Sequence, residues 1–444
     1  MSDPLTDIAE IQNQKDKLLE GSCSWVLKNA AYIEWINSNC SKVLWIHGKP
    51  GKGKTMIAIS LIESLHGNIS NSSLGAYIFC DNAIDKRNTT LAVMKSLLYQ
   101  ILSQQPGLLK LLLRGFEIQK AGLFSSLEAV WRVLQNVLNN SSLREVYFVV
   151  DGLDECKVDS LEPFLLLIGS YQHQKPSDAR TNQSCIVKWL LTSRPEVRIQ
   201  ENLSKYSNID LGENSDYVAE AVNGFIDVKV EELTRRKNYE EHDCTLKSFV
   251  EEALRQRSEG TFLWVALAFR GLRKPTVQAF NTRSIVMKLP SGLTKLYGRI
   301  MEQVMNNEDK ELAVHIKEIL RSVTVAFRPL TLEELAVAAE LPMEHRYNRM
   351  ALIQYVNQCG SILTIRQDTV HFVHQSAKDY LLSPGSTVIF SPGLGEENKM
   401  IAYRCFQYIC TDAFSEHVDD RTLSAEELEI VTRNTPYLEY PVLH

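Results

Sequence analysis

The sequence predicts an α/β fold, with a parallel sheet flanked by helices, in its first half, followed by a helical domain and a winged-helix domain. Two changes of pattern along the chain carry this prediction. From about residue 42 to residue 213, short β-branched or aromatic runs alternate with longer amphipathic stretches, as in a parallel sheet covered by helices. After Asp216 helical periodicity takes over, until two short strand candidates follow a helix near residue 361.

Five strands are predicted for the sheet, and most of them are apolar on both faces, as strands inside a covered parallel sheet must be. They span residues 43–47, 76–80, 146–150, 187–191 and, with a weaker pattern, 208–211. Apolar residues at helical spacing between 91 and 102 predict a helix after the second strand, and the apolar run after Thr55 predicts a buried one.

The second half reads as helices that end in a small hairpin. An apolar stripe over residues 246–254 predicts a helix that stops at Ser258-Glu259-Gly260, and residues 312–320 predict another. Thr331, with Glu334 three residues later, has the spacing of a capping box. Strands at 361–365 and 370–373 and a helix ending at Leu382 complete the pattern of a winged helix.

Composition limits the classes of function. The chain has 444 residues, which at about 150 residues per domain predicts several domains. Its net charge of −6 provides no positive field for nucleic acid or an anionic membrane. The nine cysteines are scattered without a C-x-x-C pair, and neither a signal peptide nor a membrane span is evident. We therefore expect a cytoplasmic protein with reduced thiols.

The strongest chemical signal is a glycine-rich loop between a predicted strand and a predicted helix. It matches the full G-x-x-x-x-G-K-[ST] pattern of a P-loop, so the fold class is an α/β P-loop NTPase. Backbone N–H groups would cradle phosphate, Lys54 would supply a charge to the β and γ phosphates, and Thr55 would bind Mg²⁺. The predicted nucleotide-binding residues of the loop are Gly48, Lys49, Pro50, Gly51, Lys52, Gly53, Lys54 and Thr55.

Three carboxylates follow the apolar strand at 146–150. Asp151 ends the strand, where it would reach the metal beside the P-loop together with Thr55. Asp154 and Glu155 follow Gly152 closely, and one or both would orient or deprotonate an attacking water. Which of the two is the base stays open at this point.

A further strand ends in Thr192-Ser193-Arg194-Pro195. This segment would place the Arg194 guanidinium at the carboxyl edge of the same sheet, near the γ phosphate. The alternative is that Arg194 only pairs with a nearby acid.

These segments resemble the NACHT nucleotide-binding module of STAND-type P-loop NTPases in its fungal NLR-like form. The resemblance lies in the P-loop with its preceding Ile46-His47, in Gly21-Ser22-Cys23-Ser24-Trp25-Val26-Leu27, Tyr77-Ile78-Phe79-Cys80, Asp151-Gly152-Leu153-Asp154-Glu155, Thr192-Ser193-Arg194-Pro195 and Gly260-Thr261-Phe262-Leu263-Trp264-Val265. The small residue after Asp151, with the acidic pair further on, is the most discriminating feature.

The resemblance implies a domain plan and one further site residue. It implies a helical lead-in at 1–40, the nucleotide-binding domain at 41–215, a helical domain at 216–307, a winged helix at 308–384 and a helical linker stub at 385–444. It also implies that His374 contacts the β phosphate in the resting state, with His371 as the alternative. The effector and repeat domains usual in the family are missing, so we expect either a truncated chain or an isolated switch module.

The function that follows is a signalling switch that uses ATP or GTP, ADP or GDP, and Mg²⁺. Slow hydrolysis would be coupled to opening and self-association, in fungal non-self recognition, innate immunity or programmed cell death. Effector or sensor proteins would be supplied elsewhere, and no nucleic acid partner is expected. The alternatives are a scaffold that holds nucleotide without hydrolysing it and, less favoured, a P-loop phosphotransferase.

Overall fold

The computed structural model describes residues 4–14, 21–68, 73–84, 86–140, 143–172, 185–306 and 309–390, and residues 395, 399, 400, 403 and 404. The chain separates into two compact units. The first comprises Met1–Arg255 with Glu259–Val265, and the second comprises Gln256–Ser258 with Ala266–His444.

A five-stranded parallel sheet forms the centre of the first unit. Its strand order is β2-β3-β4-β1-β5. The bounds are β1 (Lys42–His47), β2 (Ser73–Phe79), β3 (Glu145–Asp151), β4 (Ile186–Ser193) and β5 (Ser207–Asp210). All five strands overlap the predicted ones, and the observed strands extend by up to three residues.

The strand register brings the carboxyl ends of three strands together. Strand β4 lies between β3 and β1. On the β1 side, Ile46 is paired with Thr192 and His47 with Ser193. On its other side, Val150 is paired with Leu191. The segments that follow β1, β3 and β4 therefore leave the sheet side by side, which positions the site described below.

Helices cover the sheet on both faces. The strands are buried on both faces because they are apolar throughout. The adjoining helices contribute apolar stripes, such as Val93, Leu97 and Ile101 on the helix at Thr90–Gln104. The helices that precede or follow the strands are α1 (Pro4–Gln14), α2 (Ser24–Lys28), α3 (Ala30–Asn37), α4 (Lys54–Asn68), α5 (Thr90–Gln104), α6 (Leu109–Gln119), α7 (Leu127–Leu138), α8 (Val158–Gln172), α9 (Val197–Leu203), α10 (Ser215–Lys237), α11 (Tyr239–His242) and α12 (Leu246–Ser258).

The outer edge of β2 is paired by side chains rather than by another strand. The Gln100 amide accepts a hydrogen bond from the Tyr77 backbone N–H at 3.0 Å and donates one to the Tyr77 carbonyl at 2.8 Å. One helical turn later, Gln104 makes the same pair of bonds with the backbone of Gly75, at 3.4 and 2.7 Å. Because an unpaired edge invites pairing with another chain, this amide ladder satisfies and protects it.

A buried lysine ties the lead-in helix to the sheet. Lys188 lies on β4, is fully buried, and donates to the carbonyls of Trp35 at 2.6 Å and Ser38 at 2.5 Å, at the end of α3. A cation there satisfies carbonyls that have no partner within the helix. Burial lowers the pKa of Lys188 to about 8.

The second unit is mainly helical and ends in a small antiparallel sheet. Strand β8 lies between β6 and β7. Helix α13 (Phe262–Leu272) begins in the first unit and ends in the second. The other bounds are α14 (Ala279–Met287), α15 (Leu293–Met305), α16 (Lys310–Val325), β6 (Leu330–Thr331), α17 (Leu332–Ala338), α18 (Met343–Arg346), α19 (Arg349–Gln358), β7 (Leu363–Arg366), β8 (Thr369–Phe372), α20 (Gln375–Leu382) and α21 (Ser386–Ile389). The predicted capping box is confirmed, since Thr331 accepts from the Glu334 N–H and Glu334 accepts from the Thr331 N–H.

Helices α16, α17 and α19 with the hairpin β7–β8 form the expected winged helix. Most of the predicted stub at 385–444 lies outside the described residues, and the predicted domain boundaries stay predictions. The seven cysteines within the described segments are free thiols, whereas Cys405 and Cys410 lie outside those segments. Over the same segments, no helix combines the length and the apolar character needed to cross a membrane.

Candidate functional site

The P-loop links the end of β1 to the start of α4. Two of its glycines have left-handed backbone conformations, Gly51 with φ of +76° and Gly53 with φ of +92°. Side chains rarely adopt these angles, so glycine is needed at both positions. The Gly53 carbonyl already accepts from the Ile57 N–H, which starts α4 directly behind the loop. A helix N-terminus behind a glycine-rich turn forms an anion-binding cradle.

The Lys54 ammonium folds back onto the loop that carries it. It donates to the Gly48 carbonyl at 2.7 Å and lies 3.3 Å from the Lys49 carbonyl. Burial lowers the pKa of Lys54, and the negative charges of Asp154, Asp151 and Glu155 oppose that shift. The lysine and the carboxylates predicted from separate segments therefore share one electrostatic environment.

Asp151 is held at the end of β3 by the neighbouring strand. The Thr192 hydroxyl donates to Asp151 Oδ1 at 2.5 Å and accepts from the Gly152 N–H at 3.0 Å. Gly152 has φ of +74°, so the chain turns sharply away directly after the carboxylate. Thr192 thus fixes both the Asp151 carboxylate and the turn that follows it.

Asp154 and Arg194 form one unit. Asp154 Oδ1 accepts from the Arg194 backbone N–H at 2.9 Å, and Oδ2 pairs with Arg194 Nε at 3.0 Å. The side chains are 5% and 17% exposed, respectively. The alternative that Arg194 pairs with an acid is therefore observed, but the pair lies inside the site. The Arg194 charge also acts on Lys54, whose pKa it lowers.

His374 lies in the second unit, at the end of β8. Its Nδ1 accepts from the Ser376 N–H at 3.1 Å and lies 2.9 Å from the Ser376 hydroxyl, so the ring caps the N-terminus of α20. The alternative residue, His371, has Nε2 at 2.7 Å from the Thr369 hydroxyl.

Comparison with known proteins supports the P-loop unit and the winged helix separately. Residues 21–194 match the family described as Nephrocystin 3, N-terminal. Residues 301–391 match the winged helix domain of GPI inositol-deacylase. The chain is also 34% identical over 396 residues to the vegetative incompatibility protein HET-E-1 of Podospora anserina. The chain is a NACHT-type, NLR-like protein.

The alignment with HET-E-1 covers 87% of this NACHT-type chain but 28% of the relative, so the chain spans less than a third of that protein. Among solved structures, a Walker-type ATPase of Pyrococcus abyssi superposes with a TM-score of 0.36 at 15% identity, covering 82% of this chain and 95% of that one. The ORC2 protein of Aeropyrum pernix gives 0.35 at 11% identity, covering 88% and 94%. Superpositions at this level carry no inference about function.

The structure brings most of the predicted site residues of the NACHT-type chain together. The P-loop, Asp151, Asp154, Glu155 and Arg194 all follow the adjacent strands β1, β3 and β4. His374 belongs to the second unit and is described there by itself.

Sequence reasoning missed the contacts of two residues around the P-loop. The hydrogen bonds of Thr192 to Asp151 and Gly152 were not predicted. A hydroxyl near the end of one apolar strand, beside a neighbouring strand that ends in Asp, could have indicated them. Lys52 is among the predicted nucleotide-binding residues, and that stays a prediction, but its contact with another segment was missed: its ammonium donates to the carbonyls of Glu259 at 2.7 Å and Gly260 at 2.9 Å. No local pattern reports that contact.

Proposed function

We propose that this protein is a nucleotide-dependent conformational switch. The observation that carries the proposal is the half-buried Lys54 ammonium in a complete P-loop, which is acted on by the charges of Asp151, Asp154, Glu155 and Arg194. A phosphate group that entered the loop would replace the Gly48 and Lys49 carbonyls as the acceptor of the Lys54 hydrogen bonds. Its negative charge makes it the stronger acceptor. The loop would therefore bind the β and γ phosphates of ATP or GTP, or the β phosphate of the diphosphate.

The residues present fit a magnesium ion as part of this site. Thr55 and Asp151 offer a hydroxyl and a carboxylate oxygen, the hard donors that Mg²⁺ prefers, and Asp151 is fixed by Thr192. When bound, the ion would neutralise phosphate charge.

The contacts of Asp154 support different roles for the two later carboxylates. Both carboxylate oxygens of Asp154 contact Arg194, so we propose that Asp154 holds the guanidinium toward the phosphates. We assign to Glu155 the task of orienting or deprotonating the attacking water. The division supports slow hydrolysis, with Arg194 stabilising charge on the transferred phosphoryl group.

We propose that the second unit responds to whether diphosphate or triphosphate is bound. His374 is the candidate contact to the β phosphate, and its Nδ1 accepts a backbone hydrogen bond, so a neutral ring carries its proton on Nε2. We propose that triphosphate replaces diphosphate, opens the chain and exposes a surface for self-association. Similarity to HET-E-1 supports a role in fungal vegetative incompatibility.

The test is equilibrium binding of fluorescent ADP, ATP, GDP and GTP with and without Mg²⁺. We expect Lys54→Ala to weaken binding by about tenfold to a hundredfold, because a charge-assisted contact is lost in a half-buried site. The matched control is Lys110→Ala, on the exposed surface of α6, which should bind like the parent. Equal affinity in the parent and Lys54→Ala would end the proposal.

Hydrolysis assays distinguish the switch from the two alternatives. A switch releases inorganic phosphate slowly, and Glu155→Gln slows that release further. In a scaffold that only holds nucleotide, neither the parent nor Glu155→Gln releases phosphate. Transfer to an acceptor other than water would favour a phosphotransferase.

A further inference from the structure

Lys52 connects the P-loop to a segment more than two hundred residues away in the chain. Its ammonium donates to the carbonyls of Glu259 and Gly260, at 2.7 and 2.9 Å. Lys52, Glu259 and Gly260 all lie in the first compact unit. These two hydrogen bonds to backbone carbonyls orient the Lys52 side chain toward the protein rather than toward a phosphate group.

The glycines on either side of Lys52 show how closely this segment approaches the loop. A Cβ atom on Gly51 would lie 2.8 Å from side-chain carbons of both Thr261 and Leu263. A Cβ atom on Gly53 would lie 3.1 Å from the ring of Phe262, which packs against Phe225 of α10. Residues 259–263, here called the cover segment, therefore lie directly on the P-loop.

The electrostatics of the contact favour a cation at this position. Glu259 and Gly260 follow the last residue of α12 and have left-handed angles, with φ of +49° and +60°. The end of a helix exposes carbonyls without intrahelical partners and carries partial negative charge. Partial burial lowers the pKa of Lys52, while the Glu259 carboxylate opposes the shift.

We propose that Lys52 is a positioning residue that latches the cover segment onto the P-loop and thereby couples that segment to phosphate binding. The inference rests on the proposed function for its nucleotide-dependent part. Lys52 lies between two glycines that set the shape of the loop, so a change of loop shape on phosphate binding moves the ammonium as well. By linkage, if phosphate stabilises the latched loop, the latch strengthens phosphate binding by the same factor.

Hydrogen exchange of the amides in residues 259–265 tests the latch on the full chain, with and without ADP and Mg²⁺. In the absence of nucleotide we expect Lys52→Met to exchange about fivefold to tenfold faster than the parent, as expected for loss of a charge-assisted hydrogen bond. Lys52→Arg, which can donate to both carbonyls, should stay within about twofold of the parent. ADP should slow exchange in the parent and have a smaller effect in Lys52→Met.

The matched control is Lys110→Met, which makes the same substitution at an exposed position on α6, outside the P-loop. Cover-segment exchange in this variant should match the parent. Amides of β3 serve as a folding check, and Lys52→Gln replaces Lys52→Met if they lose protection.

Equal exchange in the parent and Lys52→Met, or equal acceleration in Lys110→Met and Lys52→Met, would overturn the latch. Nucleotide affinity is measured on the same samples. If the parent binds no nucleotide, the proposed function fails while the nucleotide-free comparison still decides the latch. If the parent binds ADP and exchange does not depend on Lys52, the latch fails alone.

Discussion

The carboxylate of Asp154 holds Arg194 at two points. One oxygen accepts from the backbone N–H at 2.9 Å, and the other pairs with Nε at 3.0 Å. One contact is to the backbone and the other to the side chain of Arg194, so the carboxylate ties the guanidinium to the chain segment that carries it. The pair joins the turn after β3 to the end of β4, and both charges act on Lys54.

Asp154→Asn should therefore lower both stability and the pKa of Lys54. Removing one partner of a fully buried pair costs about 3–5 kcal/mol, and the partial exposure of Arg194 places the expected loss nearer about 2–3 kcal/mol. A double-mutant cycle with Arg194→Gln, measured by urea unfolding, should give a coupling of about 1–3 kcal/mol. Additive effects of the two substitutions would contradict a direct pair.

Gln100→Leu tests the side-chain ladder on the edge of β2. The substitution keeps the approximate volume but leaves the buried N–H and carbonyl of Tyr77 without these partners, so we expect a loss of about 1–3 kcal/mol. Gln104→Leu is the control, because Gln104 is exposed and water can replace its bonds. A loss in Gln104→Leu as large as that in Gln100→Leu would speak against burial as the cause.

Gly51→Ala tests the contact between the P-loop and the cover segment by steric means. The new methyl group meets a backbone with φ of +76° and two side-chain carbons at 2.8 Å, so we expect a loss of about 1–3 kcal/mol in thermal or urea unfolding. Gly107→Ala is the control, since its Cβ would meet no atom within 4 Å. Parent-like stability in Gly51→Ala would mean that the segment does not lie on the loop.

Lys188 makes a pH-dependent contribution with a defined sign. Burial lowers its pKa from 10.5 to about 8, so between pH 8 and 10.5 the unfolded chain binds more protons at this residue than the native protein. Its contribution to stability therefore rises with pH in that window, by no more than about 1.4 kcal/mol per pH unit, and is constant below it. The measurement is the difference in unfolding free energy between the parent and Lys188→Met from pH 7 to 10, where a constant difference would contradict the lowered pKa.

The sequence predicts those features that depend on neighbours along the chain. The Thr331–Glu334 capping box, the apolar strands and the P-loop are signals within a few residues of one another. The strand ends could also be placed together, because parallel strands share a carboxyl edge. The sequence therefore predicts that Asp151, Asp154 and Arg194 lie near one another, although it does not specify their contacts.

The remaining features depend on partners that only the folded chain brings together. Lys52 and Glu259 lie 207 residues apart, and nothing in either segment specifies the other. Gln100 pairs with the edge of β2 only because β2 is the outermost strand, which a list of strands does not reveal. The proposed division of roles between Asp154 and Glu155 likewise rests on the contacts of Arg194.

The measurement that tests the switch most directly is the molar mass of the full chain by size-exclusion chromatography with light scattering. It compares saturating Mg²⁺–ADP with a Mg²⁺-bound non-hydrolysable triphosphate, and Lys54→Ala serves as the control. We predict a monomer in diphosphate, a larger species in triphosphate, and no nucleotide response in Lys54→Ala. The same mass in both nucleotides, with both shown to be bound, would contradict the account.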